Sequence, residues 1–533
     1  MNAPRPRFDP ICTVAQIRAI ELAGIAQRAP GALMQAAGHA AAQRALALLG
    51  ERGGRVLALA GPGNNGGDAL VAARVLRTSG VAVDVMMQGD PAKLPAAAHA
   101  AALAWQATGG TLSAQWPGAA RALIIDGLFG IGLTRAVSGP TAALVESVNA
   151  QCAPVLALDI PSGLDADCGV VLGCAIRATE TITFIARKPG LLTLDGPDLC
   201  GRIVVDSLGL DAWTPTDDLA ARGGLNHAMT SAHRGGSRQR TRALPAAPGD
   251  WIDARVLQLA PPPRPGNFHK GNAGTLALVG GAAGMVGAAL LAGRAAARLG
   301  AGKVLVGLLD RQGPSVDPLM PELMLVPVMR AIESASAIAV GPGCGLSFGA
   351  KRALEASLAQ PCPLVIDADA LNLIACSPAL AKQLAARLQP ALLTPHPAEA
   401  ARLLGSATHI VQSDRIAAAR AIAQRYNAHV LLKGNGSVLC RPDGDYAING
   451  SGNPGMASAG MGDVLSGMLL ALLGQGLGTA DATYLATWLH GAAGDACAAQ
   501  LGPFGFSASD VSLAAREQLA SHYRGTATAD TCQ

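Results

Sequence analysis

Aromatic residues are scarce in this chain: Phe, Trp and Tyr make up 3% of 533 residues, while 50% of the residues are hydrophobic. Its cores must therefore be aliphatic, and no basic stretch is interleaved with aromatics that would stack on bases. With a formal net charge of only +4, nucleic acid is not an expected partner. Eleven cysteines, an odd number with no C-x-x-C pair, argue against a disulfide framework or a zinc site. Arg5 and Arg7 are followed by Asp9 and Glu21 and by no apolar stretch, so no signal peptide is expected. The longest apolar run, around 464–473, is about half of the roughly 20 residues that span a bilayer. These absences point to a cytoplasmic protein that does not meet a membrane, and a homo-oligomer is expected. The P-loop pattern G-x-x-x-x-G-K-[ST] is missing too: Gly302-Lys303 is followed by Val304. Lysine is rare, seven of 41 basic residues, which singles out Lys270 and Lys433, each next to a glycine.

The length calls for two to four units. After helical stretches over residues 12–50, Val56-Leu-Ala-Leu-Ala60 reads as a buried strand, 61–68 as the turn after it, 69–76 as a helix and 81–86 as the next strand: a βαβ unit. Further strands are predicted at 122–126, 154–160, 179–186 and 202–206. Residues 212–262 change character, with His233-Arg-Gly-Gly-Ser-Arg-Gln-Arg240 and Pro261-Pro-Pro263, and read as a linker with one short helix. A second α/β pattern begins at Thr275-Leu-Ala-Leu-Val-Gly-Gly281, with strands at 303–308, 337–340, 363–366, 391–393 and 430–432 and a helical closing third. The expected architecture is α/β throughout: one α/β domain over 1–212, a linker over 213–262 and a second α/β domain over 263–533.

Gly61-Pro-Gly-Asn-Asn-Gly66 matches G-x-G-x-x-G after a strand, and Asp84 lies near the place of a ribose-binding acid. A dinucleotide-dependent dehydrogenase is therefore one reading. Against it, Asn64, Asn65 and Asp68 crowd polar groups into a turn whose purpose in such enzymes is bare backbone. Those groups suit substrate or a hard cation. Two other strand ends carry matching groups, Asp126 before Gly127-Leu-Phe-Gly-Ile-Gly-Leu133, and Asp159 with Ser162 in Asp159-Ile-Pro-Ser-Gly-Leu-Asp165. Ligands of open α/β sheets bind at such ends, although each aspartate alone reads equally well as a cap.

The second half carries His269-Lys-Gly-Asn-Ala-Gly274, Gly341-Pro-Gly343, Asp367-Ala-Asp-Ala-Leu-Asn372, Thr394-Pro-His-Pro-Ala-Glu399 and Leu432-Lys-Gly-Asn-Gly-Ser437, each near a strand end. It culminates in Asn453-Pro-Gly-Met-Ala-Ser-Ala-Gly-Met-Gly-Asp463, which runs into an apolar helix. Backbone N–H groups of a glycine loop that opens a helix make a site for an anion. A carboxylate there serves as a base for a hydroxyl while the loop holds an arriving phosphoryl group. The bland alternative makes Asp463 the helix N-cap.

Taken together, GNNGGD, DxLFGxGL and DIPSGLD, with Leu33-Met34, Ala37-Gly38 and Lys188-Pro-Gly-Leu191, resemble the NAD(P)H-hydrate epimerases. The match covers roughly residues 12–210. The resemblance implies a Rossmann-like three-layer domain that interconverts R and S forms of hydrated NADH and NADPH, with Asp159 catalytic. It implies hydrate contacts at Asn64, Asn65, Gly66, Gly67, Asp68, Gly130, Ile131, Gly132, Leu133, Thr134, Arg135, Ala136 and Asp159. It also implies a potassium ion at Asn65, Asp126 and Ser162. Ala69 departs from a usual glycine at a helix start.

Residues 263–525 are similar to the NAD(P)H-hydrate dehydratase domain, which has the ribokinase-like fold. That likeness implies hydrate contacts at Ala288, Gly343, His396 and catalytic Asp463, and nucleotide contacts at Lys433, Gly434, Asn435, Gly436, Ser437 and Gly462. ADP would be the phosphoryl donor, with ATP an alternative and Mg2+ accompanying either. Ala398 and Ser437 stand where the family more often has glycine and threonine. The rival for this half is a ribokinase-like small-molecule kinase fused to a non-catalytic Rossmann-like module.

Overall fold

The computed structural model describes residues 6–117, 120–211 and 248–530, and the chain divides into two compact units, Asp9–Gly249 and Asp250–Gln533 together with Met1–Phe8.

In the N-terminal unit seven parallel strands stand in the order Leu112–Ser113, Val83–Met87, Val56–Ala60, Leu123–Gly127, Val155–Leu158, Glu180–Phe184 and Arg202–Asp206. Four of the five inner strands are buried along their whole length, as sheets covered on both faces require. The chain leaves Val56–Ala60 toward one edge and returns beside it at Leu123–Gly127, so the switch point lies between the turns after Ala60 and Gly127. Asp84 is the second residue of its strand, where Arg55 and Arg121 pair with it at 2.8 and 3.0 Å. It is a structural ion pair away from the carboxyl end, which removes the acid that a dehydrogenase reading needs.

In the C-terminal unit the strands run in the order Gly249–Ile252, Tyr446–Asn449, Val438–Cys440, His429–Leu432, Leu392–Leu393, Leu364–Ile366, Ala337–Val340, Thr275–Gly280, Lys303–Leu308 and Met324–Leu325. The switch point here falls between Thr275–Gly280 and Ala337–Val340. The helix Met461–Gly474 is buried from Val464 to Leu473 and packs against Val286–Arg298 and the sheet.

Two expectations are corrected and one alternative is set aside. The end of the expected linker, 250–262, is part of the C-terminal unit: Gly249–Ile252 pairs with Tyr446–Asn449, and Ile252 and Val256 are fully buried. The apolar Trp251, Ile252, Val256 and Leu257 gave away this short strand and turn despite the prolines that follow. Residues 213–247 lie outside the described residues. The chain after 432 is not all helix, because Val438–Cys440 and Tyr446–Asn449 form an antiparallel hairpin. Its Pro442-Asp443-Gly444 is an ordinary turn signal. Finally, Asp463 is not the N-cap of its helix. Gly460, with φ of 88°, holds that place, and Asp463 sits in the first turn.

Candidate active sites

In the N-terminal unit a cavity of about 720 Å³ opens at the carboxyl ends of the strands. Asn64, Asn65 and Asp68 line it from the helix Asn64–Thr78, Gly130 to Arg135 from the following loop, and Asp159 from the third strand end. Gly66 and Gly67 are buried in the first helical turn behind it, and Ala136 is exposed beyond Arg135.

Asp159 has φ of 66°, a left-handed conformation that a non-glycine residue keeps only when surrounding contacts impose it. Its backbone N–H donates to the Ile182 carbonyl at 2.7 Å. Its carboxylate accepts from Lys188 Nζ and from the Phe184 N–H at 3.3 Å. Lys188 is wholly buried, and its ammonium also donates to Thr183 Oγ1 and the Phe184 carbonyl, each at 2.8 Å. All three ammonium donors are thus spent on aiming one carboxylate.

Sequence reasoning did not assign Glu21 to the site, yet it lines the same cavity. Burial, then the charge of Asp159, raises its carboxyl above the ordinary range, with Lys188 and Arg18 opposing. Asp68 is raised well above that range by burial, Asp159 and Glu21. Glu21 carries no motif, and only the folding of the Val14–Ile25 helix onto the cavity reveals it.

Asp126 is fully buried. Its Oδ1 accepts from Ser162 Oγ at 2.6 Å and the Leu128 N–H at 3.2 Å, and its Oδ2 from the Ser162 N–H at 2.8 Å. Burial pushes its carboxyl up to about 6 against these hydrogen bonds. Asn65 donates to the Phe129 carbonyl at 3.0 Å, while its own buried Oδ1 has no partner.

The second site gathers around Asp367, which is 2% exposed. Lys433 Nζ donates to Asp367 Oδ1 and Ser466 Oγ to Oδ2, each at 2.7 Å. Burial alone would raise this carboxyl, but the charge of Lys433 and the hydrogen bonds from Lys433, Ser466 and Thr394 hold it below the ordinary range. Burial likewise opposes the Lys433 charge, and Asp367, Glu399 and Asp463 restore it. A β-carbon placed on Gly462 would lie 3.4 Å from Lys433 Nζ and 3.9 Å from Asp367 Oδ2, so the first turn of Met461–Gly474 faces the ion pair. Burial, then the negative charge of Asp367, pushes Asp463 up to about 6, with Lys433 opposing. The first-turn N–H groups of such a helix have no partner within it.

Ala288 and Gly343 touch: a β-carbon on Gly343 would come within 3.1 Å of Ala288 Cβ. One turn further along that helix, Leu291 meets Gly460 in the same sense, at 2.8 Å. His396 caps the helix Pro397–Leu404. Its Nδ1 accepts the Ala398 N–H at 3.1 Å, and its own N–H donates to Glu399 Oε2 at 2.8 Å. Burial and the nearby Lys433 and Arg402 lower its ring, keeping the imidazole neutral at neutral pH. In the loop 433–437, Ser437 Oγ donates to the Gly434 carbonyl at 3.0 Å and accepts the Gly434 N–H at 3.3 Å, closing the loop on itself. Lys270 is exposed on the 269–272 turn. Ser466 and Asp495 went unassigned in the sequence. Asp495 accepts from the Gly452 N–H at 3.0 Å and Asn453 Nδ2 at 2.9 Å, tying down the start of the loop that ends at Asp463.

Comparison with known proteins agrees with this division. The profile of the NAD(P)H-hydrate dehydratase family matches residues 276–516, and that of the YjeF-related protein N-terminus matches residues 30–190. The bifunctional NAD(P)H-hydrate repair enzyme Nnr of Escherichia coli (strain K12) is 39% identical over 466 residues, covering 85% of this chain and 83% of that protein. The bifunctional NAD(P)H-hydrate repair enzyme of Leishmania major is 37% identical, covering 84% and 81%. Among solved structures, the ADP/ATP-dependent NAD(P)H-hydrate dehydratase of Bacillus subtilis, co-crystallized with ATP/Mg2+, is 31% identical with a TM-score of 0.45, covering 50% of this chain and 96% of that one. Identity at this level across both units and more than four-fifths of these relatives' length places the chain in the family of bifunctional NAD(P)H-hydrate repair enzymes.

Proposed function

We propose that the chain repairs hydrated NADH and NADPH in two steps. The N-terminal unit interconverts the R and S hydrates, and the C-terminal unit returns the S form to NAD(P)H at the expense of ADP, giving AMP and phosphate, with ATP as an alternative donor. One observation carries this reading: Asp463 stands in the first turn of a buried helix whose Gly462 faces Lys433 and Asp367.

The hydrate bears a hydroxyl on the ring carbon next to the ring nitrogen. Hydroxide is a poor leaving group and phosphate a good one. Asp463, with its proton affinity near 6, takes the hydroxyl proton, while Lys433 and the first-turn N–H groups stabilise the arriving phosphoryl group. The ring nitrogen then expels phosphate, and loss of a proton from the adjacent carbon restores the dihydropyridine. Mg2+ would supply charge neutralisation on the nucleotide phosphates. The described residues hold no group of three or more His, Cys, Asp or Glu that would cage a metal, which suits an ion carried in largely by phosphates and water.

In the first unit Asp159, aimed by Lys188, serves as the acid and base at the hydroxyl-bearing carbon. The residues fit a potassium ion: Asn65 Oδ1 is buried without a partner, Asn65 Nδ2 and Ser162 Oγ both reach the Phe129 carbonyl, and Ser162 Oγ also donates to the Asp126 carboxylate. Such an ion would anchor the loop from Leu128 onward and add positive charge beside the substrate phosphates. A cytoplasmic setting belongs to the same reading; no described helix is long and apolar enough to cross a membrane. A homo-oligomer belongs to the same reading.

The test is to incubate purified protein with mixed hydrate epimers and ADP or ATP and to follow recovery of NADH absorbance. Complete conversion of both epimers is expected. No recovery with either nucleotide, together with labelled phosphate transfer to simple alcohols, would favour the kinase alternative.

A further inference from the structure

Arg415, at the start of the helix Arg415–Tyr426, is 2% exposed, and no motif marks it. Its Nη2 donates to the carbonyl of Leu432 at the strand end, at 3.2 Å, and to those of Lys433 at 3.3 Å and Gly436 at 3.4 Å in the loop that follows, and its Nη1 to Gln412 Oε1 at 2.8 Å. Every one of these partners is neutral. Burial lowers its proton affinity only to about 10, so the guanidinium is charged at neutral pH. The loop is built around it. Gly434 has φ of 144°, and a β-carbon there would lie 2.8 Å from Arg415 Nη1, so glycine is required both by the backbone conformation and by the arginine beneath it.

A buried cation whose hydrogen bonds are met only by neutral groups is costly, since desolvation is not repaid by an opposite charge. The missing negative charge has an evident source in this protein. The loop that Arg415 draws together is the 433–437 segment, and Lys433 at its start reaches the Asp367–Asp463 cluster. We propose that Arg415 is a positioning residue for the phosphoryl donor: it shapes the 433–437 loop from beneath and supplies fixed positive charge for the phosphates of a nucleoside di- or triphosphate bound above. This rests on the reading of that loop as the nucleotide site. Arg415 does not touch the nucleotide. It acts through the carbonyls it holds and through its field, which the protein interior screens far less than water does.

The experiment measures binding of ADP and of ATP to the full-length protein by calorimetry for wild type, Arg415→Lys and Arg415→Met, with steady-state kinetics and melting of the same samples. Arg415→Met is expected to weaken nucleotide binding on the order of tenfold, the effect of one nearby charge at an effective dielectric of about 20. KM for nucleotide should rise in parallel, while KM for the hydrate and the epimerase rate stay at wild-type values. Arg415→Lys, keeping the charge but not the fork of donors, should fall between. A purely structural role predicts instead a lower melting temperature with nucleotide affinity unchanged in whatever fraction is folded, and that result overturns the proposal. Wild-type protein that binds neither nucleotide overturns it as well. Wild-type protein that binds nucleotide but does not restore NADH would sink the repair reading alone, leaving Arg415 to be judged on affinity.

Discussion

The two sites solve one electrostatic problem in opposite ways. Each places a lysine–aspartate pair at the ends of parallel strands. In the N-terminal unit the lysine is hidden and the aspartate faces the cavity, with side-chain exposures of 0% for Lys188 and 13% for Asp159. In the C-terminal unit the aspartate is hidden and the lysine reaches out, 2% for Asp367 against 20% for Lys433. On the proposed function, the buried member is the support and the outer member the working group. A site that moves protons on its substrate presents a carboxylate. In the proposed reaction, the site that receives a phosphoryl group presents an ammonium ion and keeps a second carboxylate, Asp463, for the proton.

The sharpest way to break that contrast is Asp463→Asn. It should lower nucleotide-dependent dehydration by about 10²–10⁴-fold, roughly 3–5 kcal/mol of barrier, with the epimerase rate untouched. Near-wild-type NADH recovery by this variant removes the base from Asp463. Stability runs the other way. A carboxyl raised by burial disfavours the folded protein at neutral pH, so the asparagine variant should melt no lower than wild type.

Next in size are the pairs themselves. Removing the outer member strands a buried charge, at about 3–5 kcal/mol. Asp159→Asn, which strands Lys188, and Lys433→Met, which strands Asp367, should each destabilise their own unit by about that much. The double variants Asp159→Asn/Lys188→Met and Lys433→Met/Asp367→Asn should recover part of the loss in a double-mutant cycle. Additive cycles would mean that the pairs are incidental contacts.

A third difference separates the units by cation. Epimerase activity should rise with potassium in a sodium-free buffer and be lost in Asn65→Ala, whereas replacing potassium by a bulky organic cation should leave nucleotide binding by the C-terminal unit unchanged. An epimerase rate flat from no added potassium to saturation would return Asp126 to a plain turn-holding role.

pH gives a smaller contrast. As the proposed base, Asp463 must be ionised to act, and its folded value is raised to about 6. The dehydration rate should therefore be full above about pH 7 and fall roughly tenfold per unit well below 6. A profile with no break between pH 5 and pH 7 would argue against this base. The smallest effect is expected at Ser437, whose hydroxyl closes its own loop. Ser437→Ala should cost about 1 kcal/mol or less in stability and little nucleotide affinity, while a large loss of affinity would show that the hydroxyl opens toward the phosphates.

Much of this was legible in the chain. The buried strands announced themselves as unbroken Val, Ile, Leu and Ala runs, because a parallel sheet covered on both faces tolerates little else. The glycine turns and aspartates after them had to lie at one edge of each sheet, since all parallel strands end on the same side. Asp126, Asp159, Lys433 and Asp463 could thus be named from local pattern alone. Glu21, Arg415, Ser466 and Asp495 could not. They lie on helices far along the chain from the groups they serve, Arg415 being 18 residues from Lys433 and Ser466 99 from Asp367, and helical periodicity records which face is buried but not what it is buried against. The roles within each ion pair belonged to the tertiary structure for the same reason. Which of lysine and aspartate is hidden depends on how the neighbouring strands and helices close over them, and burial of a charge is a property of the whole surrounding volume rather than of any segment.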